Sequence, residues 1–264
     1  MKLGFIGMGN MAGAIMGGII AKGVLKPEEI IGAEPLQSVL DQVAARHGIE
    51  VTTDNKKVAS EADVLILSVK PQIYPAVIAE IKSIRKPDQL IITIAAGKKL
   101  AWVEEQFGEK RKIIRTMPNT PALVGEGMTA VCPNDAVTEE DLQTALKLLG
   151  AFGKVEVVKE HLMDAVVSVS GSSPAYVFMM IEAMADAAVS DGMPRAQAYK
   201  FAAQAVLGSA KMVLETGKHP AELKDMVCSP AGTTIEAVRV LEERGFRSSI
   251  IEAMKACAEV SRSL

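Results

Sequence analysis

The stretch Lys2-Leu3-Gly4-Phe5-Ile6-Gly7-Met8-Gly9-Asn10-Met11-Ala12 decides the fold. Residues 2–6 are a short apolar run of strand character. Behind the glycines, Ala14, Ile15, Met16, Ile19 and Ile20 form a helix-like run that stops at Gly23. Strand, glycine turn and helix in that order make a dinucleotide-binding fingerprint. Gly7 permits the tight turn, Gly9 lets a pyrophosphate reach the backbone, and Ala12 lets the helix pack close to its strand. The N–H groups that open the helix then present a partial positive charge to the phosphates.

Around that stretch, the 264-residue chain has room for one large or two ordinary domains. It is 49% hydrophobic but only 4% aromatic, so its core is built from Ala, Val, Ile, Leu and Met. A net charge of −3 without a basic stripe argues against nucleic acid as a partner. Cys132, Cys228 and Cys257 lie far apart, as do His47, His161 and His219. With no CxxC and no HExxH, no metal site is expected. Sparse, odd-numbered cysteine fits a reducing cytoplasm, and the first residues lack the pattern of a secretory signal. No apolar run nears membrane-spanning length. The expectation is a soluble, cytoplasmic α/β protein.

Strand-like runs recur at residues 30–33, 49–51, 63–69, 90–94 and 112–115, separated by helical runs at 36–46, 54–60, 74–84 and 100–107. Near-continuous apolar strands such as Val64-Leu65-Ile66-Leu67 belong in a parallel sheet covered on both faces. The alternation implies a doubly wound, Rossmann-type sheet, completed by strands near 128–131 and 155–158 around a helix at 139–149. The texture changes near His161. Beyond it the runs are helical, at 163–169, 175–191, 195–215, 221–226, 233–243 and 246–261. The expected division is a dinucleotide-binding domain over residues 1–160 and an all-α dimerisation domain over 161–264. Val177, Phe178, Met180, Ile181 and Met184 make one helix apolar on more than one face, more than a hundred-residue helical tail buries alone. A second copy of the chain accounts for this; helices packed only on each other and on the first domain are the alternative.

Ligands of doubly wound sheets bind outside the carboxyl ends of the strands. Those ends are residues 7–12, Ala33-Glu34-Pro35, Ser68-Val69-Lys70-Pro71, Ala95-Ala96-Gly97 and residues 117–121. Glu34, 34 − 7 = 27 positions beyond Gly7, would accept a hydrogen bond from a free ribose 2′-hydroxyl and repel a 2′-phosphate, which favours NAD. Asn55-Lys56-Lys57 offer a donor and two charges to a 2′-phosphate, which favours NADP. These residues leave the choice open. In the helical half, Cys228-Ser229-Pro230-Ala231-Gly232-Thr233-Thr234 reads as a helix start with Ser229 at the N-cap and Pro230 in the first position. Its small residues leave amides bare for a carboxylate, and Thr233 and Thr234 add hydroxyls. Ser170-Gly171-Ser172-Ser173-Pro174-Ala175 reads as a second such start. An ordinary capped helix is the plain alternative for either. Reducing a carbonyl creates an alkoxide that needs a proton from Lys or His, and neither start carries one. An imine that arrives protonated needs only a hydride, an anchor for its charge and a hydroxyl near its nitrogen.

Taken together, the segments at 4–12, 69–72, 95–97, 117–122, 170–176 and 225–237 resemble the pyrroline-5-carboxylate reductase family, over essentially the whole chain. The resemblance implies hydride transfer from NAD(P)H to C5 of the cyclic imine 1-pyrroline-5-carboxylate, giving L-proline in the last step of its biosynthesis. It implies that Ser229, Gly232 and Thr233 hold the substrate carboxylate and that Thr234, the catalytic residue, hydrogen-bonds the ring nitrogen. It places the cofactor along Gly7, Gly9, Asn10, Met11, Glu34, Asn55, Val69, Lys70, Pro71, Ala95, Ala96 and Gly97, with Asn119 and Ser172 near the nicotinamide. NADPH is the usual donor of the family, and Glu34 admits NADH. Members interleave their helical domains into homodimers, and several build homodecamers as pentamers of dimers. Two positions depart from the family. Ala231 stands where Gly is usual, and Glu34 where many members carry a small polar residue. The competing readings are a hydroxyacid dehydrogenase of similar two-domain build and a non-catalytic NAD(P)-sensing protein.

Overall fold

The computed structural model describes residues 1–84, 86 and 88–263. Eight strands form one sheet: β1 (Leu3–Ile6), β2 (Ile30–Ala33), β3 (Glu50–Thr52), β4 (Val64–Leu67), β5 (Leu90–Thr93), β6 (Lys112–Met117), β7 (Gly127–Pro133) and β8 (Gly153–Val157). Their spatial order is β3-β2-β1-β4-β5-β6-β7-β8. Strands β1 to β6 are mutually parallel, and their crossovers carry helices α1 (Asn10–Ala21), α2 (Gln37–His47), α3 (Asn55–Glu61), α4 (Tyr74–Ile81) and α5 (Leu100–Phe107). Strand β7 departs from the expected parallel pattern and runs antiparallel to β6. Only residues 118–126 join the two, with a single 3-10 turn at Thr120–Val124, too short a link for a parallel crossover. Helix α6 (Glu139–Leu149) then leads to β8, which is parallel to β7.

The continuous apolar strands are explained by two cores, one on each face of the sheet. Leu3, Phe5, Ile30, Ile66, Ile92 and Ile114 meet Ile15, Met16 and Ile19 of α1, Leu40 of α2 and Leu148 of α6. Alternate residues Ile6, Ile31, Leu65, Leu67, Ile91 and Ile113 meet Val58 of α3, Ile78 of α4 and Phe107 of α5. Because β1 has β2 on one side and β4 on the other, the winding reverses there. The crevice for a ligand opens at the carboxyl ends of those strands.

Two compact units divide the chain, Met1–Ser172 with the tail from Cys257, and Ser173–Ala256. The division comes after the change of texture at His161. Helix α7 (Met163–Val166) and the π-turn that continues it, Val167–Gly171, stay with the sheet, where Met163 is buried in the second core. The second unit holds α8 (Ser173–Ser190), α9 (Arg195–Thr216), α10 (Pro220–Val227), α11 (Thr233–Glu243) and the first turns of α12 (Phe246–Ser263). On α8 and α9 only Ala185, Ala198 and Ala202 are buried, whereas Phe178, Met179, Phe201 and Leu214 are 63%, 69%, 67% and 82% exposed. An apolar surface of that extent on one chain marks a protein interface.

Candidate active site

Gly7 follows β1 with φ +90° and donates its N–H to the Ala33 carbonyl at 2.9 Å. A Cβ there would lie 2.7 Å from Val69 Cγ1 and 2.9 Å from the Ser68 carbonyl, so only glycine fits. Ser68 locks the turn from the neighbouring strand, donating its hydroxyl to the Gly7 carbonyl at 2.7 Å. Gly9 is different. Its backbone is extended, and a Cβ on it would meet nothing within 4 Å. No packing in the chain demands a glycine at this place; the open space above it is a cradle for a ligand. Helix α1, which Gly9 caps, has no side-chain cap and no acidic residue in its first turn. Its opening amides and positive end therefore suit a pyrophosphate.

Gly7, Gly9, Glu34, Asn55, Val69 and Lys70 line one cleft of about 400 Å³, together with Met8, Thr53, Ser68 and Ile73. The Glu34 carboxylate accepts the Met8 N–H at 3.1 Å, so the acid braces the glycine turn as well as facing the cleft. Asn55 lines the cleft but donates its Nδ2 to Glu80 at 2.8 Å. Lys57 pairs with Glu50 at 2.7 Å, which raises the lysine and, with Lys2, holds the Glu50 carboxyl below the usual carboxylate range. One of the two lysine charges read as facing a 2′-phosphate is thus neutralised within the chain. Asn10 is exposed at the first position of α1, whereas the Met11 side chain packs on the core and leaves only its backbone to a ligand. Pro71 opens the 3-10 turn Pro71–Ile73 beside the exposed Lys70.

The carboxyl ends of β4, β5 and β6 are tied beneath the cleft. The fully buried Tyr74 donates its hydroxyl to the Leu67 carbonyl at 2.6 Å and accepts from Thr93 at 2.9 Å. Thr116 donates to the Thr93 carbonyl at 3.0 Å. Burial pushes the Tyr74 phenol far above its ordinary value, so it stays a neutral strut. The Ala95 N–H bonds Thr93 Oγ1 at 3.3 Å, and Gly97 turns the chain with φ +75°. At the end of β6, Asn119 accepts the Met128 N–H at 2.8 Å and donates to the Ser170 carbonyl at 3.1 Å. Residues 170–175 do not form the bare helix start expected from their sequence. The chain arrives there already wound, through the π-turn, and the Ser172 N–H is bonded to the Val167 carbonyl at 2.8 Å. Ser172 keeps its hydroxyl, which accepts from Cys257 Sγ at 3.2 Å.

In the second unit, the segment after α10 also differs from expectation. Pro230 does not open a helix. Ser229 to Gly232 form a tight turn, closed by the Gly232 N–H on the Ser229 carbonyl at 3.0 Å, with Ala231 left-handed at φ +56°. A helix cannot run through that conformation, so α11 begins only at Thr233, with Gly232 as an N-cap that makes no side-chain bond. A Cβ on Gly232 would collide with the Ser229 hydroxyl, so a side chain there would displace it. Thr233 is exposed and Thr234 half-buried at the uncapped start. Sequence reasoning placed Ser68 at a strand end without giving it a role, and it missed Thr53, Ile73 and Cys257. Among the described residues, no group of three or more His, Cys, Asp or Glu side chains could hold a metal ion.

Comparison with known proteins bears on both units. Residues 160–264 match the family model described as pyrroline-5-carboxylate reductase dimerisation, and residues 2–97 match that of NADP oxidoreductase, coenzyme F420-dependent. The chain is 58% identical to a pyrroline-5-carboxylate reductase of Escherichia coli strain K12, over 100% of this chain and 98% of the relative. A pyrroline-5-carboxylate reductase structure from Coxiella burnetii is similar with a TM-score of 0.93 at 35% identity, covering 99% of this chain and 97% of that one. A Plasmodium falciparum pyrroline carboxylate reductase with NADP bound gives 0.90 at 32%, with the same coverage.

Proposed function

The chain belongs to the pyrroline-5-carboxylate reductase family, and on that premise we propose how its residues divide the work of the reaction. It is an NAD(P)H-dependent oxidoreductase that reduces 1-pyrroline-5-carboxylate to L-proline. The relatives favour this over the hydroxyacid dehydrogenase and sensing alternatives. The observation that carries the division of work is a bare helix start in each unit. One is α1, whose cradle at Gly9 no side chain fills; the other is α11, which opens on two threonines without a cap.

When bound, the reduced nicotinamide supplies a hydride to C5 of the imine. Gly7, Gly9, Asn10 and the Met11 amide hold the pyrophosphate. Glu34, Asn55, Val69, Lys70 and Pro71 frame the adenosine side, and Ala95, Ala96 and Gly97 continue the floor toward the nicotinamide, near Asn119 and Ser172. The Ser229 hydroxyl with the Thr233 and Thr234 amides takes the substrate carboxylate, an anion at a positive helix end, and Gly232, its own amide closed on the Ser229 carbonyl, leaves room beside them. The Thr234 hydroxyl bonds the ring nitrogen and fixes the imine against the donor. Since the nitrogen already carries its proton, no Lys or His is required.

NADPH is the cofactor we assign from the family, with NADH admitted because Glu34 places a negative charge where a 2′-phosphate would sit and Glu50 neutralises Lys57. We place the enzyme in the cytoplasm, as a dimer through its helical half and, further, as a pentamer of dimers. Among the described residues no helix is long and apolar enough to cross a membrane. Measuring kcat/KM with both cofactors tests the assignment. Glu34→Ser should shift the NADPH-to-NADH ratio toward NADPH by about tenfold, and an unchanged ratio removes Glu34 from cofactor selection.

A further inference from the structure

We infer that the last turns of α12 position the nicotinamide edge of the site, with Cys257 acting through Ser172 as a positioning residue. This rests on the assignment of Ser172 and Asn119 made above. Ser172 ends the π-turn, and π-turns interrupt the regular ladder and recur at functional sites. Its amide is fixed on Val167 and its Oγ accepts the Cys257 thiol at 3.2 Å, so the residue is held at two points. One turn on, Ser261 donates to Asp164 at 2.7 Å, at the start of the same segment. Cys257 and Ser261 are four residues apart on one helix face, which seats that face along residues 164–172. Ala258 and Ser261, 7% and 5% exposed, are buried in this seam.

The seam continues to the end of β6. The Ser170 carbonyl takes Asn119 Nδ2 at 3.1 Å, and a Cβ on Gly171 would lie 3.0 Å from Met117 Cε. A shift of α12 is therefore transmitted to both residues assigned to the nicotinamide. The thiol also sets polarity. With one lone pair of Ser172 Oγ taken by the S–H, the hydroxyl keeps its own proton to donate to a ligand. A thiol serving only to fill space would be replaced by alanine at the same cost whether or not Ser172 were present.

The test uses the full chain with Cys257→Ala, Cys257→Ser, Ser172→Ala and the Cys257→Ala/Ser172→Ala pair. Steady-state kinetics, NADPH affinity by fluorescence titration and urea unfolding midpoints are measured for each. Cys257→Ala should lower kcat about tenfold while KM for the imine and NADPH affinity stay within about twofold. Cys257→Ser, which keeps a donor, should recover most of the rate. In the Ser172→Ala background Cys257→Ala should cost nothing further in kcat, and the unfolding midpoints should be non-additive in the same sense. Equal losses in Cys257→Ala and Cys257→Ser, or additive effects with Ser172→Ala slow, overturn the thiol–hydroxyl tie. Ser172→Ala turning over at the wild-type rate overturns the assignment of Ser172 instead, and non-additive unfolding would then show the tie to be structural only.

Discussion

Ala231 carries a methyl at φ +56°, in the turn that sets the start of α11. A left-handed alanine costs about 1–2 kcal/mol, partly offset because glycine would gain about 0.4–1 kcal/mol of freedom in the unfolded chain. Ala231→Gly should therefore raise the melting temperature by a degree or two, with a lower KM for the imine as the turn relaxes. A lower melting temperature would show that the alanine is unstrained. Beside it, Thr234→Ala should reduce kcat about a hundredfold and leave NADPH affinity unchanged, and an undiminished rate removes Thr234 from the mechanism. Gly7 and Gly9 were legible because their spacing between a strand and a helix marks a turn, although the atoms that crowd Gly7 belong to Ser68 and Val69 far along the chain. Ser229-Pro230 was legible only in part, since a Ser-Pro pair suits a helix start and a turn corner equally. The left-handed backbone at Ala231 decides between them, and its one signal was the glycine usual at that position in the family. Cys257 was silent because its partner lies 85 positions away.

Among the elements, Tyr74 joins the first turn of α4 to the ends of β4 and β5 under the cleft. Tyr74→Phe should destabilise the protein by about 1–2 kcal/mol, lowering the melting temperature by a few degrees, because the buried Thr93 hydroxyl loses its acceptor and the Leu67 carbonyl keeps only the long bond from the Ile94 N–H at 3.4 Å. At the opposite end of the sheet, Lys86 pairs with Asp63 at 2.7 Å and, with the Lys2 amide, holds that carboxyl below the usual carboxylate range. A lowered folded-state value stabilises above the unfolded value, and that contribution disappears as the pH falls through the folded one. Lys86→Met should therefore unfold at lower temperature than wild type at pH 7, with the gap closing on acidification. A gap constant down to pH 2 would contradict the pairing. Strand β4 was readable because burial on both faces leaves an unbroken apolar run, and α1 because its apolar residues follow the glycine turn at helical spacing. The reversal at β7 and the π-turn were not, since strand direction depends on the length of a loop and the π-turn on a single extra residue within a helical run.

At the scale of the whole molecule, the helical half was legible as an interface because α8 is apolar on more than one face, and Phe178 on α8 and Leu214 on α9 stand bare on the single chain. Burying one such side chain contributes about 1.5–3 kcal/mol, twice over in a symmetric dimer. Phe178→Glu should accordingly raise the dimer dissociation constant at least a hundredfold, read by sedimentation velocity, whereas an unaltered dimer would move the interface elsewhere. The central claim is that the N-terminal half binds the donor whose hydride reaches C5 of a ring anchored at Thr233 and Thr234. Its most direct test is to supply NADPH deuterated at C4 of the nicotinamide, one face at a time, and to analyse the amino acid formed from 1-pyrroline-5-carboxylate by mass spectrometry and NMR. The account predicts L-proline carrying one deuterium at C5 from one of the two faces; unlabelled proline from both, or no proline at all, would contradict it.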